Sequence, residues 1–292
     1  MANLTSFSLR YVLRPGFSIE LLLDFFESAP HLSDVELTFA IPDFGARIGR
    51  LVPLAYLKTL RIYGIRSPSL LLEHLLIPAS AKLSTTLPSS QIEDHLPSSL
   101  DNLKNLSDFT AVYFHFESNF VSIKFTGPNG QVCLTSLAPA SNAASSAIQS
   151  LARFDTSKTA RVEIFNSDPL PEHHYQVLLS MENLRALTLS LHGNPHSFIL
   201  SLGPGLDSEN PVACTRLESL SLHINERLDI ESVTRVAAAR ALNGAPLKSI
   251  RIVGCRGCVP RAGLMGLREY VSHVEIVLVS ETKRAEEVYS PW

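Results

Sequence analysis

The sequence predicts an α/β fold: a curved horseshoe with parallel strands on its concave face, helices outside and one inserted β-hairpin. Three observations predict it. A short strand pattern recurs about every 25 to 30 residues, segments with helical periodicity separate the copies, and a Gly-Pro-Asn-Gly turn at 127–130 interrupts the series. Strand and helix in alternation at this spacing indicate parallel strands, because the connections are too long for hairpins.

The strand pattern consists of an apolar residue, two variable residues, an apolar residue, one variable residue and a last apolar residue. Seven copies fit it well: Leu4/Phe7/Leu9, Leu32/Val35/Leu37, Leu57/Leu60/Ile62, Leu184/Leu187/Leu189, Leu217/Leu220/Leu222, Leu247/Ile250/Ile252 and Val271/Val274/Ile276. Two weaker copies are Leu106/Phe109/Ala111 and Thr159/Val162/Ile164. This spacing is the leucine-rich-repeat signature, and such units stack into a solenoid because no unit covers its own apolar face.

Helices are expected between the copies. Ile19–Phe26 and Ser69–Leu76 carry apolar residues three and four positions apart. Val233–Leu242 reads as another helix, which Asn243-Gly244 would end with a left-handed cap, with Pro246 just beyond.

Two stretches break the period. Residues 78–100 are rich in Ser, Pro and Thr and are predicted to form an irregular loop or a decayed unit. In residues 121–134, apolar and other residues alternate on both sides of the Gly-Pro-Asn-Gly turn, and this pattern predicts the inserted hairpin. The Ala/Ser segment 138–150 is either a short helix or a flexible insert. Residues 1–280 are thus predicted to form a single degenerate leucine-rich-repeat domain with irregular inserts at 78–100 and 121–150, followed by a charged tail, 281–292.

Composition excludes several classes of function. The 292 residues are 45% hydrophobic, and 25 basic against 28 acidic residues give a net charge of -3, so no nucleic-acid footprint is present. Arg10 and Arg14 interrupt the first apolar stretch, which argues against a secretory signal, and no uncharged stretch is apolar enough to span a membrane. We expect an intracellular protein, cytoplasmic or nuclear, with no membrane partner and with its four cysteines reduced.

Catalytic and metal-binding motifs are weak. Cys255-Arg256-Gly257-Cys258 has the spacing of half a zinc site or of a redox pair, but no second close pair of cysteines follows, and a buried structural role near the end of a strand is favoured. The adjacent His173 and His174 point in different directions on a helix, which favours surface or capping roles. No nucleophile elbow, phosphate-binding loop or zinc-protease motif occurs. We therefore expect no enzyme, no metal and no cofactor.

The residue between the last two apolar positions of each copy should face away from the core. Together with flanking positions these residues form the candidate protein-binding row: Glu36, Arg61, Tyr63, Glu163, Thr188, Ser221, His223, Arg251 and Glu275. A mixed row of charges and hydroxyls on the concave face is the usual binding surface of a solenoid. The alternative is that neighbouring strands merely pair Glu36 with Arg61 and Arg251 with Glu275, at well under about 1 kcal/mol each.

Several segments resemble the C-terminal region of a large fungal, basidiomycete-type family of F-box proteins. They are Leu72-Glu73-His74-Leu75 with Ile77-Pro78, the run from Ile92 to Leu106 that contains Leu100-Asp101-Asn102-Leu103-Lys104-Asn105-Leu106, Phe154-Asp155-Thr156-Ser157-Lys158-Thr159, and Met181 to Leu189. The resemblance covers most of the chain. It implies a substrate receptor: the F-box binds a Skp-type adaptor of a cullin ubiquitin ligase, and the repeats recruit the protein to be ubiquitinated.

The F-box itself is missing, since Leu4 to Leu9 already reads as a repeat strand. A Skp-type adaptor is therefore expected as a partner only if an F-box precedes this region in the full-length product. The alternatives are a stand-alone scaffold or inhibitor without a link to ubiquitin and, less favoured, a thiol- or zinc-dependent enzyme that uses Cys255 and Cys258.

Overall fold

The computed structural model describes residues 3–10, 18–38, 49–65, 68–88, 92–137, 147–165, 172–191, 196–203, 212–255, 257–259 and 263–279. The chain is mixed α/β, its sheet strands are mostly parallel, and it divides into two compact units, Met1–Lys158 and Thr159–Trp292. The prediction of one continuous domain stays a prediction. No helix among the described residues is long and apolar enough to cross a membrane.

Among its described residues, the first unit contains nine strands, two α-helices and a further helical stretch at 147–149. The strands are β1 (Ser6–Arg10), β2 (Asp34–Thr38), β3 (Val52–Pro53), β4 (Thr59–Tyr63), β5 (Leu75–Leu76), β6 (Lys82–Leu87), β7 (Ala111–Glu117), β8 (Phe120–Thr126) and β9 (Gln131–Ser136). The helices are α1 (Ile19–Ser28) and α2 (Pro68–Leu72), and four 3-10 turns lie at Ile92–His95, Lys104–Leu106, Ser150–Arg153 and Thr156–Lys158.

Seven of these strands pair in the order β1-β2-β4-β6-β9-β8-β7, while β3 and β5 form a separate parallel pair. The pairs from β1 to β9 are parallel, and β8 pairs antiparallel with both β9 and β7. The inserted hairpin is thus confirmed as β8–β9, and β7 extends it to three antiparallel strands. The sequence pattern had not indicated β7.

The apolar pattern places the core of this unit as expected. Val35 and Leu37 of β2, and Leu60 and Ile62 of β4, are buried. Helix α1 begins at Ser18, whose hydroxyl accepts a hydrogen bond from the Leu21 amide, and it buries the apolar face predicted for Ile19–Phe26. Helix α2 is shorter than predicted, because residues 75–76 leave the helix to pair as β5.

Residues 78–100 contain β6, which pairs in parallel with β4 and β9, so residues 82–87 are not the irregular loop that was one of the two interpretations, while the decayed unit stays a prediction. The pattern was hidden because one inward position of β6 is polar. The Thr85 hydroxyl and His95 Nδ1 lie 2.6 Å apart in a hydrogen bond, and both side chains are fully buried. Burial lowers the pKa of His95 to about 3.

The second unit contains five strands and four helices among its described residues: β10 (Arg161–Phe165), α3 (Glu172–Leu179), β11 (Ala186–Leu191), α4 (His196–Ser201), β12 (Ser219–Ile224), α5 (Ile230–Leu242), β13 (Ser249–Gly254), α6 (Leu264–Tyr270) and β14 (His273–Leu278). The strands pair in parallel and in chain order, each with the next. All five strand copies predicted for this region are confirmed. Helix α5 ends as predicted, with Gly244 at φ 74.

The helical layer of the second unit is tied together by a buried arginine. Arg240 on α5 has no exposed surface, and its guanidinium donates to the carbonyl oxygens of Leu202, Ala213, Cys214 and Leu217 at 2.7 to 3.4 Å. Burial lowers the pKa of Arg240. Cys214, one of the residues it holds, takes a left-handed backbone conformation at φ 46, which is rare outside glycine.

Candidate functional site

The candidate row is divided between the two units. Three of its residues, Glu36, Arg61 and Tyr63, lie on β2 and β4 of the first unit. The other six lie on β10 to β14 of the second unit. We call the sheet side that carries these alternating outward residues the open face of each unit.

In the second unit, strand register brings the predicted residues into one line. Glu163, Thr188, Ser221, Arg251 and Glu275 are successive partners across β10, β11, β12, β13 and β14. The two residues that flank each of them along its strand point to the buried side, with those on β14 half-buried. The alternation of the sequence pattern therefore places these five side chains side by side on the open face.

The charges in this line are neutralised locally. Arg161 forms an ion pair with Glu163, and its Nε donates to Glu163 Oε1 at 2.6 Å. Glu163 is only 8% exposed, so it is a poor contact for a partner. Arg251 and Glu275 form the expected pair at 3.3 Å, with about half of each side chain exposed. The middle of the line is left to Thr188 and Ser221, which are half-buried hydroxyls.

His223 lies one alternation beyond Ser221 on β12 and also faces outward. Its Nε2 lies 3.1 Å from the Ser221 hydroxyl, and burial, with a smaller contribution from Arg251, lowers its pKa to about 4. His223 is therefore neutral at neutral pH and offers hydrogen bonds rather than charge.

In the first unit, a corresponding line runs through Ser8, Glu36, Arg61, Ser84 and Cys133. The expected Glu36–Arg61 pair is not the one that forms: Glu36 pairs with Arg10 at 2.8 Å. Arg10 is the next outward residue of β1 after Ser8, which is the register partner of Glu36. Arg61 is left exposed, and Tyr63 stands beside it on the same face.

Sequence reasoning missed the outward residues of β6, β8 and β9 as part of this surface. Lys82, Ser84 and Thr86 of β6 were hidden in the segment expected to be irregular, and Lys124 and Cys133 belong to the hairpin. The alternation of inward and outward residues in β6, taken as the next strand of the sheet after β4, was the signal that could have identified them.

The Cys255–Cys258 pair differs from expectation. The four cysteines were expected to be reduced, yet these two are joined by a disulfide. The Cys258 amide donates to the Cys255 carbonyl oxygen at 3.1 Å, so the backbone turns tightly and brings the two Sγ atoms together. The Cys258 carbonyl in turn accepts from the Leu228 amide, next to the start of α5. The pair thus secures a turn after β13.

The described residues hold no group of three or more His, Cys, Asp or Glu side chains placed to bind a metal ion. The remaining cysteines stand apart from the disulfide: Cys133 is half-buried, and burial raises the pKa of Cys214 to about 11, so its thiol stays protonated. Helix α3 begins at Glu172, just before His173 and His174, but the side chains of these two histidines, and the tail 281–292, lie outside the described residues.

Comparisons with protein-family models, with curated proteins and with solved structures find no match. The two open faces, with their in-register polar side chains, are therefore the features on which a functional assignment can be based.

Proposed function

We propose that this chain is a noncatalytic protein-interaction module of the leucine-rich-repeat solenoid type, and that it supplies the substrate-recognition region of an F-box type ubiquitin-ligase receptor. The observation that carries the proposal is the strand-to-strand register of the repeat copies. Equivalent positions of successive copies are direct partners, so each unit presents a continuous row of polar side chains over a buried apolar layer. Repeat proteins use such rows to bind other proteins.

The chemistry of the rows supports binding rather than catalysis. The outward residues are hydroxyls, an imidazole that is neutral at neutral pH, and charges that are exposed or locally paired. Such groups satisfy the hydrogen bonds of a bound polypeptide and set its register. The link to ubiquitin ligation rests on the resemblance of segments such as Leu100-Asp101-Asn102-Leu103-Lys104-Asn105-Leu106 to the F-box family.

Affinity purification with a matched pair of variants tests the binding function. In the second unit, Thr188→Arg with Ser221→Arg places two long charged side chains in the middle of the row. Thr215→Arg with Ser272→Arg makes the same substitutions at exposed positions outside the strands. We expect specific partners of the wild-type chain to be lost from the row variant and kept by the control. Partners that stay bound to both variants would contradict binding through this row.

The receptor role is tested separately. We expect the tagged endogenous gene product to co-purify with a Skp-type adaptor together with its substrate. Recovery of row-dependent partners without the adaptor would instead favour the stand-alone scaffold or inhibitor.

A further inference from the structure

The disulfide between Cys255 and Cys258 adds little as a cross-link of the fold. A disulfide restrains the unfolded chain more when it closes a longer loop, and these two residues are only 3 positions apart. The turn also has main-chain hydrogen bonds of its own: the Cys255 carbonyl oxygen accepts from the amides of Cys258 and Val259, and the Cys258 carbonyl oxygen accepts from the Leu228 amide. The disulfide therefore joins two sulfur atoms that the backbone already keeps close.

The two sulfur atoms differ in their access to solvent. Cys255 is half-buried, whereas Cys258 is only 6% exposed. Thiol–disulfide exchange begins when an external thiolate attacks one sulfur and the other sulfur leaves, so access decides which of the two is attacked. The geometry makes Cys255 the sulfur that is attacked and Cys258 the sulfur that leaves.

The two sulfur atoms also have different polar neighbours. The Cys258 amide donates to Cys255 Sγ at 3.2 Å, and an N–H donor stabilises negative charge on a sulfur atom. Cys258 Sγ instead lies 3.2 Å from the carbonyl oxygen of Asn225, which can accept a hydrogen bond from a protonated thiol. After reduction, this arrangement favours a thiolate at Cys255 and a thiol at Cys258.

We propose that Cys255 and Cys258 form a reversible thiol–disulfide site, with Cys255 as the exchanging sulfur and with dithiols and glutathione-type disulfides as its reactants. This inference goes beyond the proposed function and does not depend on it.

Reduction of the site transfers two electrons in two steps. A thiolate of an external dithiol bonds to Cys255 Sγ, the bond between the two protein sulfurs breaks, and its electron pair leaves on Cys258 Sγ, which takes a proton from solvent. The second thiol of the dithiol then loses its proton to solvent and attacks the reductant's own sulfur in the mixed disulfide, which releases Cys255 as a thiolate. The dithiol is oxidised to a disulfide, and the protein pair is reduced.

Reoxidation by glutathione disulfide follows the reverse order. The Cys255 thiolate bonds to one glutathione sulfur, and the other glutathione leaves as a thiolate. Cys258 then loses its proton to solvent and displaces the bound glutathione. Because main-chain hydrogen bonds hold the two residues together, this second step is intramolecular and takes place at a high effective concentration. We therefore expect the mixed disulfide to be short-lived in the wild-type chain.

Peptide mapping of the wild-type chain is the first test. Trypsin cuts after Arg251, Arg256 and Arg261, so the two cysteines fall on separate peptides, 252–256 and 257–261, which stay linked only in the disulfide form. The folded full-length chain is treated without oxygen, first with dithiothreitol and then with glutathione disulfide. Samples are alkylated in urea, digested and read by mass spectrometry.

We expect the linked peptides to disappear with dithiothreitol and to return with glutathione disulfide. Linked peptides that resist dithiothreitol until the chain is unfolded, or that do not return with glutathione disulfide, would overturn the reversible site. Brief alkylation of the reduced, folded chain should modify Cys255 at least about 10-fold faster than Cys258, because Cys258 is buried. Faster modification of Cys258 would overturn the assignment of Cys255 as the exchanging sulfur.

Variants trap the intermediate. Cys258→Ser lacks the second thiol, so it should retain glutathione on Cys255 at a level at least about 10-fold above wild type. Cys255→Ser should take up glutathione at Cys258 at least about 10-fold more slowly than Cys258→Ser does at Cys255. The matched control is Cys133→Ser, which removes a half-buried thiol of the first unit and should leave exchange at the pair unchanged. Equal uptake by the first two variants would contradict the different roles of the two sulfurs.

The outcomes separate this inference from the proposed function. The exchange reactions use only dithiothreitol, glutathione disulfide and the purified chain. Their failure would leave the protein-binding role standing, and partners that do not depend on the row would leave the thiol–disulfide site standing.

Discussion

Arg240 is a fully buried cation whose hydrogen-bond partners are main-chain carbonyl oxygens. A buried arginine usually has a carboxylate partner, but here four carbonyl dipoles share that role. Removing the guanidinium would strand these oxygens in an apolar layer, where each unpartnered group costs about 1 to 3 kcal/mol. The side chain thus connects α5, through hydrogen bonds, to the segment that precedes β12.

We predict that Arg240→Met lowers the free energy of unfolding by about 3 to 5 kcal/mol, because methionine fills the volume but donates no hydrogen bond. Urea denaturation measures the change. Arg235→Met, on an exposed part of the same helix, should change stability by less than about 0.5 kcal/mol. Equal stability losses in the two variants would contradict the role assigned to Arg240.

His95 makes the stability of the chain depend on pH. Its pKa in the folded state, about 3, lies below the ordinary value of 6.5, so the unfolded state binds a proton more readily. Its contribution is therefore complete above pH 6.5 and is lost progressively as the pH falls from about 6.5 towards 3.

We predict that this group alone removes about 2 kcal/mol of stability between pH 7 and pH 5. His95→Asn can still bond to Thr85 but does not titrate in this range. We expect it to be less stable than wild type at pH 7 and to lose about 2 kcal/mol less on acidification. Urea denaturation at the two pH values gives the comparison, and parallel losses in both proteins would show that His95 is not responsible.

At the scale of elements, the hairpin β8–β9 depends on its glycines. The Gly127 amide donates to the Gly130 carbonyl oxygen at 3.0 Å, which closes the turn. A Cβ atom at Gly130 would lie 2.2 Å from the Ala79 carbonyl oxygen, far inside contact distance. The turn therefore packs against the backbone just before β6, and only glycine fits there.

We predict that Gly130→Ala destabilises the chain by about 2 to 3 kcal/mol, since backbone rather than a flexible side chain must move. Gly49→Ala is the control, because no atom of the described residues lies within 4 Å of a Cβ there. Thermal unfolding of both variants measures the difference. A Gly130→Ala melting temperature equal to that of wild type would contradict the close approach.

The hairpin and the repeat strands could be predicted because their alternation of apolar and polar residues is regular. Strand β6 could not, because Thr85 places a hydroxyl in the core, where the pattern requires an apolar residue. Strand β7 was missed because a weak repeat copy, Leu106/Phe109/Ala111, placed a strand just before it. Phe109 is not part of a strand, and its ring packs against the rings of Phe125 and Phe154. In both segments, contacts with residues distant in sequence determine the structure, and a local sequence pattern does not reveal such contacts.

Part of the candidate site could likewise be predicted from the sequence, and part could not. The row in the second unit followed from the period-two alternation alone, since parallel register aligns equivalent positions. The outward residues of β6, β8 and β9 could not be placed beside those of β4, because their positions depend on the strand order. The pairing of Glu36 with Arg10 rather than Arg61 could not be predicted from the sequence either, because Glu36 has basic residues within reach on both neighbouring strands.

For the molecule as a whole, stability should vary along the series of strands. Among the described strands, β1 pairs only with β2, and β14 pairs only with β13. Their inward residues, such as Phe7 and Ile276, are half-buried, whereas their counterparts on β4 and β12 are buried. Edge strands with incomplete burial open at lower free energy than central strands.

We predict that backbone amides of β1 and β14 exchange with deuterium at least about 100-fold faster than those of β4 and β12. Native-state hydrogen exchange read by mass spectrometry measures this difference within each unit. Uniform protection across all strands would contradict opening of each unit from its edge strand.

The position of Arg240 in the chain has a consequence for synthesis. Its carbonyl partners precede it by 23 to 38 residues, so they leave the ribosome before it does. Until α5 has emerged, the main chain around Cys214 lacks the donors that hold it in its left-handed turn. The segment that leads into β12 therefore stays hydrated and without these hydrogen bonds until a helix translated later has emerged.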